Sequence, residues 1–304
     1  MIYLNVFDDK SALDSSVTSI NHGDGAFVFG VDTDQGIEDI TIYDQRHPGP
    51  NCPEVYKAYP VNMEPVKLDA SSSKKTPAVA DILYSTADGK LTLDAQTNGA
   101  DNTPIAICVI PEVTENFKNG DNSEGAVKTA RFVSLNYMNC NTPKTGSETA
   151  LPYICVGNYG TTIGNVKGGT DKTAYIGGKW NTQKCLHACT KEKNDLTNGV
   201  TNSGGTGYCA PACCCVAYST PGTKQGDWYL PMPGELYQIS QHKTVINNSR
   251  TAKKGSGFKE STFYWSSREY SSDLEYYVDF DSVSIASVAK SYSLSVLAFL
   301  ALEY

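Results

Sequence analysis

The C-terminal segment of this chain constrains its fold more than any other stretch. Between Asp279 and Ser295, aliphatic, hydroxyl and acidic residues follow one another without the period of 2 that indicates a half-buried strand or the period of 3.6 that indicates a helix. The flanking stretches 264–267 (YWSS) and 296–300 (VLAFL) have the composition of a buried framework. Because contact residues are carried by a rigid scaffold, a framework around an unpatterned segment indicates a binding surface.

Composition excludes several classes of protein. The 304 residues are 40% hydrophobic and 19% charged, which is typical of a globular chain. The formal net charge is −8 and no basic stripe is visible, so we expect no nucleic-acid partner. The longest apolar run, 296–302, is too short to cross a bilayer, and we expect no membrane insertion. The N-terminus lacks the basic and apolar regions of a secretory signal, which predicts synthesis in the cytoplasm.

The ten cysteines do not form a metal-binding pattern. Cys185 and Cys189 are followed by Cys209 and the run 213–215, whereas a zinc site uses paired CxxC-type spacings. We interpret most of them as small buried hydrophobic residues in a reducing compartment, with a disulfide or a metal as the alternative. The sequence therefore predicts no metal and no other cofactor.

The chain divides into two units at a polar linker. Residues 1–75 are predicted as a β-rich N-terminal module, with strands at 26–31 and 39–43. The linker at 71–77, SSSKKTP, leads to a second unit, 80–304. In that unit we predict further β-structure, namely a hairpin through Asp88–Gly89 and strands at 105–110 (stopped by Pro111), 131–135, 174–176 and 215–219.

Two helices are predicted in the second unit. The first begins near Asn181–Thr182, a good N-cap pair, and carries Cys185. The second begins at 231–235, where proline suits a first helical turn, and places Leu236 and Ile239 on its inner face.

The stretches 226–236 (GDWYLPMPGEL) and 263–272 (FYWSSREYSS) carry a family resemblance. They resemble the C-type-lectin-like domain of variable proteins diversified by diversity-generating retroelements, in its gut-bacteriophage type. The resemblance covers residues 80–304, with its specific motifs confined to 225–304. It implies an α+β chain, a C-type-lectin-like fold preceded by a β-rich N-terminal module, with a variable region at about 273–295.

In that family, reverse transcription miscopies template adenines, so that Asn codons become codons with a pyrimidine in the third place. Between Asp279 and Ser295 only Lys290 lies outside the set of residues that such codons reach, and the segment contains no Asn. The resemblance implies ligand-facing positions at Asp273, Leu274, Tyr277, Asp279, Asp281, Ser282, Ser284, Ala286, Ser287, Val288, Ala289, Ser291, Tyr292, Leu294 and Ser295.

Strand alternation around 276–280 agrees with this assignment. It directs Tyr276, Val278 and Phe280 inward, and Tyr277 and Asp279 outward. Exposed apolar groups are costly unless a partner covers them, so we expect the affinity to come from a set of apolar anchors: Leu274, Val288, Tyr292 and Leu294.

The resemblance implies a non-enzymatic protein that binds a ligand or receptor and attaches a phage to its bacterial host. The expected partner is a host cell-surface protein or glycan, and the expected location is the virion surface, in a fibre or tail, with the bacterial cell surface as the alternative. The N-terminal module is expected to contact virion proteins and to support a homo-oligomer, with a trimer as the candidate.

Two alternatives stay open. An enzyme of the formylglycine-generating type has the same fold, and it requires a reactive cysteine pair or copper in a groove. A structural virion protein without receptor binding would bury the end of the chain between subunits. A calcium-held sugar site is not expected, because Glu64-Pro65-Val66 precedes the domain and Trp180-Asn181-Thr182 is misplaced for it. The four histidines are scattered and form no triad spacing.

Overall fold

The structure, a computed structural model, describes only part of the chain. The described residues are 26–32, 36–43, 61–136, 151–152, 168–191, 210–255, 257–258, 262–271, 274–290 and 292–304.

This part of the chain is mostly β-structure with a few helices. The strands are β1 (Ala26–Asp32), β2 (Gly36–Tyr43), β3 (Val66–Lys67), β4 (Ile82–Ser85), β5 (Leu91–Thr92), β6 (Gln96–Thr97), β7 (Ala100–Asp101), β8 (Thr103–Glu115), β9 (Val127–Ser134), β10 (Leu151–Pro152), β11 (Trp228–Tyr229), β12 (Phe263–Glu269), β13 (Leu274–Asp279), β14 (Ser284–Ala289), β15 (Ser293–Leu294) and β16 (Phe299–Glu303). The helices are α1 (Gly178–Lys191), α2 (Ala210–Ala217), α3 (Pro233–Gln241) and α4 (Lys243–Ala252).

A central sheet organises the core. Its strand order is β11-β16-β9-β8-β4-β5, and β3 joins β16 in parallel. The continuous apolar run of β8 is buried on both faces, because Ala106 and Cys108 enter one hydrophobic cluster while Ile107 and Val109 enter the other. The predicted strands at 105–110 and 131–135 are therefore confirmed as the centre of the fold.

Residues 61–69 belong to this core. Val66 pairs with Leu302 of the C-terminal strand. From α1, the Lys179 ammonium donates hydrogen bonds to the backbone oxygens of Asn62 and Glu64, both at 2.8 Å. This segment was predicted as part of the N-terminal module, and it lies in the same folded unit as the C-terminal strand. The predicted strands at 26–31 and 39–43 are confirmed as the antiparallel pair β1–β2.

A buried ionic network joins α3 to the central sheet. Arg131 of β9 donates to Glu115 of β8 and, at 3.1 Å from its Nε, to Oε1 of Glu235. Glu235 also accepts from the Tyr229 hydroxyl at 2.5 Å and from the Met232 backbone N–H at 2.7 Å. The last contact places the carboxylate on a free N–H at the start of α3, as in a capping box. The motif at 226–236 is thus an anchor between helix and sheet.

The second predicted helix is confirmed as α3, with Leu236 and Ile239 buried. The first is confirmed as α1, but it begins at Gly178 and not at Asn181. The Thr182 hydroxyl donates to the Gly178 backbone oxygen at 2.8 Å, one turn back, so Thr182 lies inside the helix and is not its cap.

The strand predicted at 215–219 is wrong, because residues 215–217 form the end of α2. Cys214, Cys215 and Val216 are all buried, and a short apolar run that is buried all round does not distinguish a strand from a helix.

The hairpin through Asp88–Gly89 is confirmed as β4–β5. The predicted stop at Pro111 is wrong, since β8 continues to Glu115 across an irregularity in its pairing with β9, and proline is tolerated at such a bulge. Residues 174–176, predicted as a strand, form a loop whose Tyr175 backbone oxygen accepts from Arg131.

Candidate binding surface

The segment without sequence periodicity forms a hairpin at the edge of a small sheet. This sheet has the order β12-β13-β14. Strands β13 and β14 pair in antiparallel register from Leu274 opposite Ala289 to Asp279 opposite Ser284, with no irregularity. The turn between them is residues 280–283.

One side of this sheet is fixed by buried aromatic residues. Tyr264 of β12 and Val278 of β13 are fully buried, and Phe280 is nearly so. The rings of Tyr264 and Phe280 stack at 4.2 Å between centroids. Helix α3 packs against all three strands. The prediction that 264–267 and 296–300 form a buried framework is confirmed, since every residue of both stretches is buried.

The other side of the sheet is partly open. Directly opposite residues of antiparallel strands project their side chains to the same face. The register therefore forms one row of Phe263, Asp279 and Ser284, and a second row of Trp265, Tyr277 and Ala286. The row that pairs Glu275 with Val288 continues this face. We call the accessible part the hairpin face: Phe263, Tyr277, Asp279, Ser284, Ala286 and Val288.

Aromatic side chains dominate the exposed end of the hairpin face. Phe263 is 41% exposed, and its ring meets the ring of Tyr277 edge-on at 5.2 Å. Beyond the hairpin, Tyr292 is 59% exposed. Sequence reasoning missed Phe263 as a site residue. Alternation along β12 places Phe263 on the same face as the buried Trp265. Its neighbour on that face, Asp279, belongs to another strand, and only the strand pairing brings the two residues together.

Strand β14 is the outer strand of this sheet. All six of its residues are half-buried, whereas β13 contains the fully buried Glu275 and Val278. Its sequence, SIASVA, has no charge and no proline. Native edge strands are commonly protected from further pairing by a charge, a proline or a bulge. Strand β14 has none of these devices.

The turn between β13 and β14 is conformationally strained. Val283 has a φ of 52°, the left-handed region that β-branched residues avoid and that Gly and Asn favour. The Asp279 carboxylate accepts hydrogen bonds from the Asp281 backbone N–H at 2.8 Å and from the Ser282 hydroxyl at 2.6 Å. These two contacts close the turn, so the backbone conformation is set without a favourable residue at position 283.

The inner end of the hairpin contains buried charge. Lys290 donates to Glu269 of β12, and both side chains are almost completely buried. Glu275 lies opposite Glu269 in the register, and neither of its carboxyl oxygens has a hydrogen-bond partner among the described residues. Burial, reinforced by the nearby thiol of Cys185, raises the pKa of Glu275 well above its ordinary value.

The structure distributes the predicted ligand-facing residues unequally. Eight are half-buried: Leu274, Tyr277, Asp279, Ser284, Ala286, Ser287, Val288 and Ala289. Asp281, Ser282 and Tyr292 are exposed, and Asp273 and Ser291 lie outside the described residues. The inward positions of Val278 and Phe280 are confirmed, but Tyr276 is only half-buried and meets Tyr270 edge-on.

For Leu294 and Ser295 the prediction of a solvent-facing side chain is wrong, because both are buried. Leu294 pairs with Leu151 of β10 and packs in the core. Ser295 exchanges backbone hydrogen bonds with Phe263 and Trp265, both at 3.0 Å. The accessible part of the hairpin therefore ends before residue 294, where the chain re-enters the core.

Four cysteines, Cys108, Cys185, Cys214 and Cys215, are described as buried side chains. Cys108, Cys185 and Cys215 are free thiols, as predicted for small hydrophobic residues, and burial raises the pKa of the Cys108 thiol far above its usual range. Cys214 differs, because it forms a disulfide bond. Disulfides persist in oxidising compartments, so the prediction of reduced cysteines is wrong for Cys214.

The described residues contain no group of three or more His, Cys, Asp or Glu side chains that could hold a metal ion. Within the same ranges, no helix has the length and apolar character needed to cross a membrane.

Comparison with known proteins gives little that bears on function. No family model and no curated protein matches the chain. Among solved structures, it is similar to a fimbrial protein from Bacteroides ovatus ATCC 8483, with a TM-score of 0.45 and 16% sequence identity. The match covers 74% of this chain and 48% of the fimbrial chain, so this chain spans about half the length of that protein. A likeness of this size carries no functional assignment.

Proposed function

We propose that this chain is a non-enzymatic receptor-binding protein with a C-type-lectin-like domain, whose hairpin is diversified by a retroelement. The observation that carries the proposal is the division of the C-terminal sheet. Buried Tyr264, Trp265 and Val278 fix its position, while all six residues of β14 remain partly accessible. Side chains on such a strand can change without loss of the fold, as a diversified binding surface requires.

Two details support diversification of this segment. Lys290, the only residue between 279 and 295 that miscopied Asn codons do not reach, is buried and paired with Glu269, as expected of a framework residue. Val283 occupies a backbone conformation that favours Asn. A valine at that position is expected if the residue was replaced without regard to the turn.

The biological setting belongs to the same proposal. The ligand is a protein or glycan on the surface of a bacterial host, and the chain acts on the virion surface or, as the alternative, on a bacterial cell. The residues before 61 join it to virion proteins or to other copies in a trimer. The disulfide at Cys214 supports a location outside the reducing cytoplasm.

A cell-binding assay tests the proposal. The labelled protein is mixed with a panel of gut bacterial isolates, and bound cells are counted by flow cytometry. The variant A286N/S287N/Y292N changes two half-buried residues of β14 and the exposed Tyr292 that follows the hairpin. It should keep its melting temperature and lose or redirect binding. The control D88N/K118N changes exposed residues outside the hairpin and should bind as before.

If A286N/S287N/Y292N binds cells as well as D88N/K118N does, the hairpin is not the binding surface. A second, independent test is the nucleotide sequence, where a near-copy of the 3′ end should lie beside a reverse-transcriptase gene and differ mainly at adenines. For the formylglycine-generating alternative, thiol titration of the native protein should detect a reactive cysteine pair. The described free thiols are buried, which disfavours thiolate formation.

A further inference from the structure

The outer strand of the hairpin sheet has a regular, uninterrupted edge. Across its whole length β14 pairs with β13 in one constant register. All of its residues are partly accessible, and none is charged or proline. A strand edge presents a row of backbone donors and acceptors, and an extended peptide adds to such an edge when nothing protects it.

The side chains along β14 determine what can pair with it. Those that share the hairpin face are Ser284, Ala286 and Val288, and all are small or of moderate size. An added strand would lie about 4.8 Å beyond β14. Across Ala286, an incoming side chain meets the half-buried ring of Tyr277. Next to Val288 it meets an aliphatic group. Both positions favour an apolar residue.

The row at Ser284 favours a different residue. Asp279 lies opposite Ser284 on the hairpin face, and no described lysine or arginine forms an ion pair with its carboxylate. Its hydrogen bonds come from the Asp281 backbone N–H and the Ser282 hydroxyl. A long basic side chain on an added strand can cross the small Ser284 and reach this carboxylate. This row therefore selects a lysine or arginine.

Charge also distinguishes a foreign partner from a second copy of the chain. The net charge of −8 makes two copies repel each other, and β14 itself has no basic residue to place beside Asp279. A basic, extended segment is attracted by the negative net charge of the chain, and it can place a lysine or arginine beside Asp279.

We propose that β14 binds an extended polypeptide segment by strand addition, antiparallel to β14. From N- to C-terminus its residues lie opposite Val288, Ala286 and Ser284 in turn, so its pattern is apolar, any, apolar, any, basic. This inference rests on the proposed function, because it names the class of partner for the same hairpin.

The test uses a defined probe, the fluorescent peptide acetyl-TVTVTKT-amide, with the full chain and anisotropy as the readout. We expect saturable binding with a Kd on the order of 10–100 µM. A peptide N-methylated at alternate residues keeps the side chains and loses edge donors, and the reordered peptide acetyl-TKTVTVT-amide reverses the pattern. Each should bind about tenfold more weakly if strand addition and register are correct.

Two protein variants test the charge. D279N removes the carboxylate charge and retains a hydrogen-bond acceptor for the turn. It should weaken binding of the lysine peptide about threefold to tenfold. It should not affect binding of the same peptide with glutamine in place of lysine. D88N, the matched control, changes an exposed carboxylate outside the hairpin that pairs with Lys90 at 3.2 Å, and should leave binding unchanged.

Equal binding of the N-methylated and parent peptides, or no saturable binding, would overturn strand addition. Dimerisation of the free protein that the peptide reverses would assign the edge to a second copy, contrary to the proposal. If A286N/S287N/Y292N loses cell binding but the peptide does not bind to the protein, only the proposed strand partner is refuted. Cell binding that is insensitive to the hairpin would refute the proposed function itself.

Discussion

Lys290 and Glu269 form a buried ion pair that joins the end of the hairpin to the framework strand β12. The pair lies beside Glu275, whose carboxyl group is opposite Glu269 in the strand register. This arrangement keeps the hairpin in register with the framework while the residues of β14 remain partly accessible.

Removal of the lysine should destabilise the protein. K290M removes the ammonium from the buried Glu269 carboxylate, and breaking a buried pair in this way costs about 3–5 kcal/mol. Equilibrium urea denaturation measures the loss. K243M, which breaks the exposed pair with Asp281, is the control and should cost less than about 1 kcal/mol. Equal effects of the two substitutions would contradict a structural role for Lys290.

Glu275 should make the protein more stable in mild acid. Its pKa is raised in the folded state, so the native protein holds a proton that the unfolded chain releases above the ordinary glutamate pKa of 4.5. Stability then falls as pH rises above that value, by about 1.4 kcal/mol per pH unit until the folded-state pKa is reached. E275Q removes this contribution.

The difference in unfolding free energy between E275Q and the wild type, measured from about pH 5 to pH 8, should therefore grow in favour of the variant. A difference that stays constant across this range would show that Glu275 is ionised to the same degree in both states.

Lys179 should produce the opposite dependence. Burial lowers its pKa from 10.5 to about 7, so above that pH the unfolded chain binds a proton that the native protein lacks. Stability should rise with pH between about 7 and 10.5, by up to about 1.4 kcal/mol per unit. K179M eliminates this rise and also loses the hydrogen bonds to Asn62 and Glu64. Thermal unfolding at a series of pH values compares the two, and parallel pH profiles would contradict the shift.

A change at Val283 should stabilise the turn. V283G or V283N relieves the left-handed backbone strain and should raise the unfolding free energy by about 1 kcal/mol. The control V245N, at an exposed position of α4, should leave it nearly unchanged, since Val and Asn have similar helix propensities. A destabilising V283N would mean that the Val283 side chain makes contacts that outweigh the strain.

The elements with strong local patterns could be predicted from the sequence. The apolar run of β8, the Asp88–Gly89 hairpin and the proline-led start of α3 each follow from the residues themselves. The predicted strand at 215–219 failed because the run is buried all round, and burial is a property of its surroundings. The prediction of a reduced thiol at Cys214 failed for a similar reason, since the partner of a disulfide is decided by proximity in the fold.

The candidate site was predicted only in outline. The missing periodicity between Asp279 and Ser295 indicated where the candidate surface lies, because period is a local property of a sequence. Which residues of that segment face solvent depended on long-range contacts. Leu294 is buried against β10, while Phe263, from a neighbouring strand, becomes part of the hairpin face.

The amino-acid sequence by itself determined the framework and the place of the hairpin, since buried aromatic and aliphatic stretches can be recognised without knowing their partners. Only the tertiary structure decided the strand pairing that aligns Asp279 with Ser284, buries Lys290 beside Glu269 and leaves the edge of β14 accessible. These properties arise from pairing between residues distant in the chain, and a pattern without a period contains no record of its register.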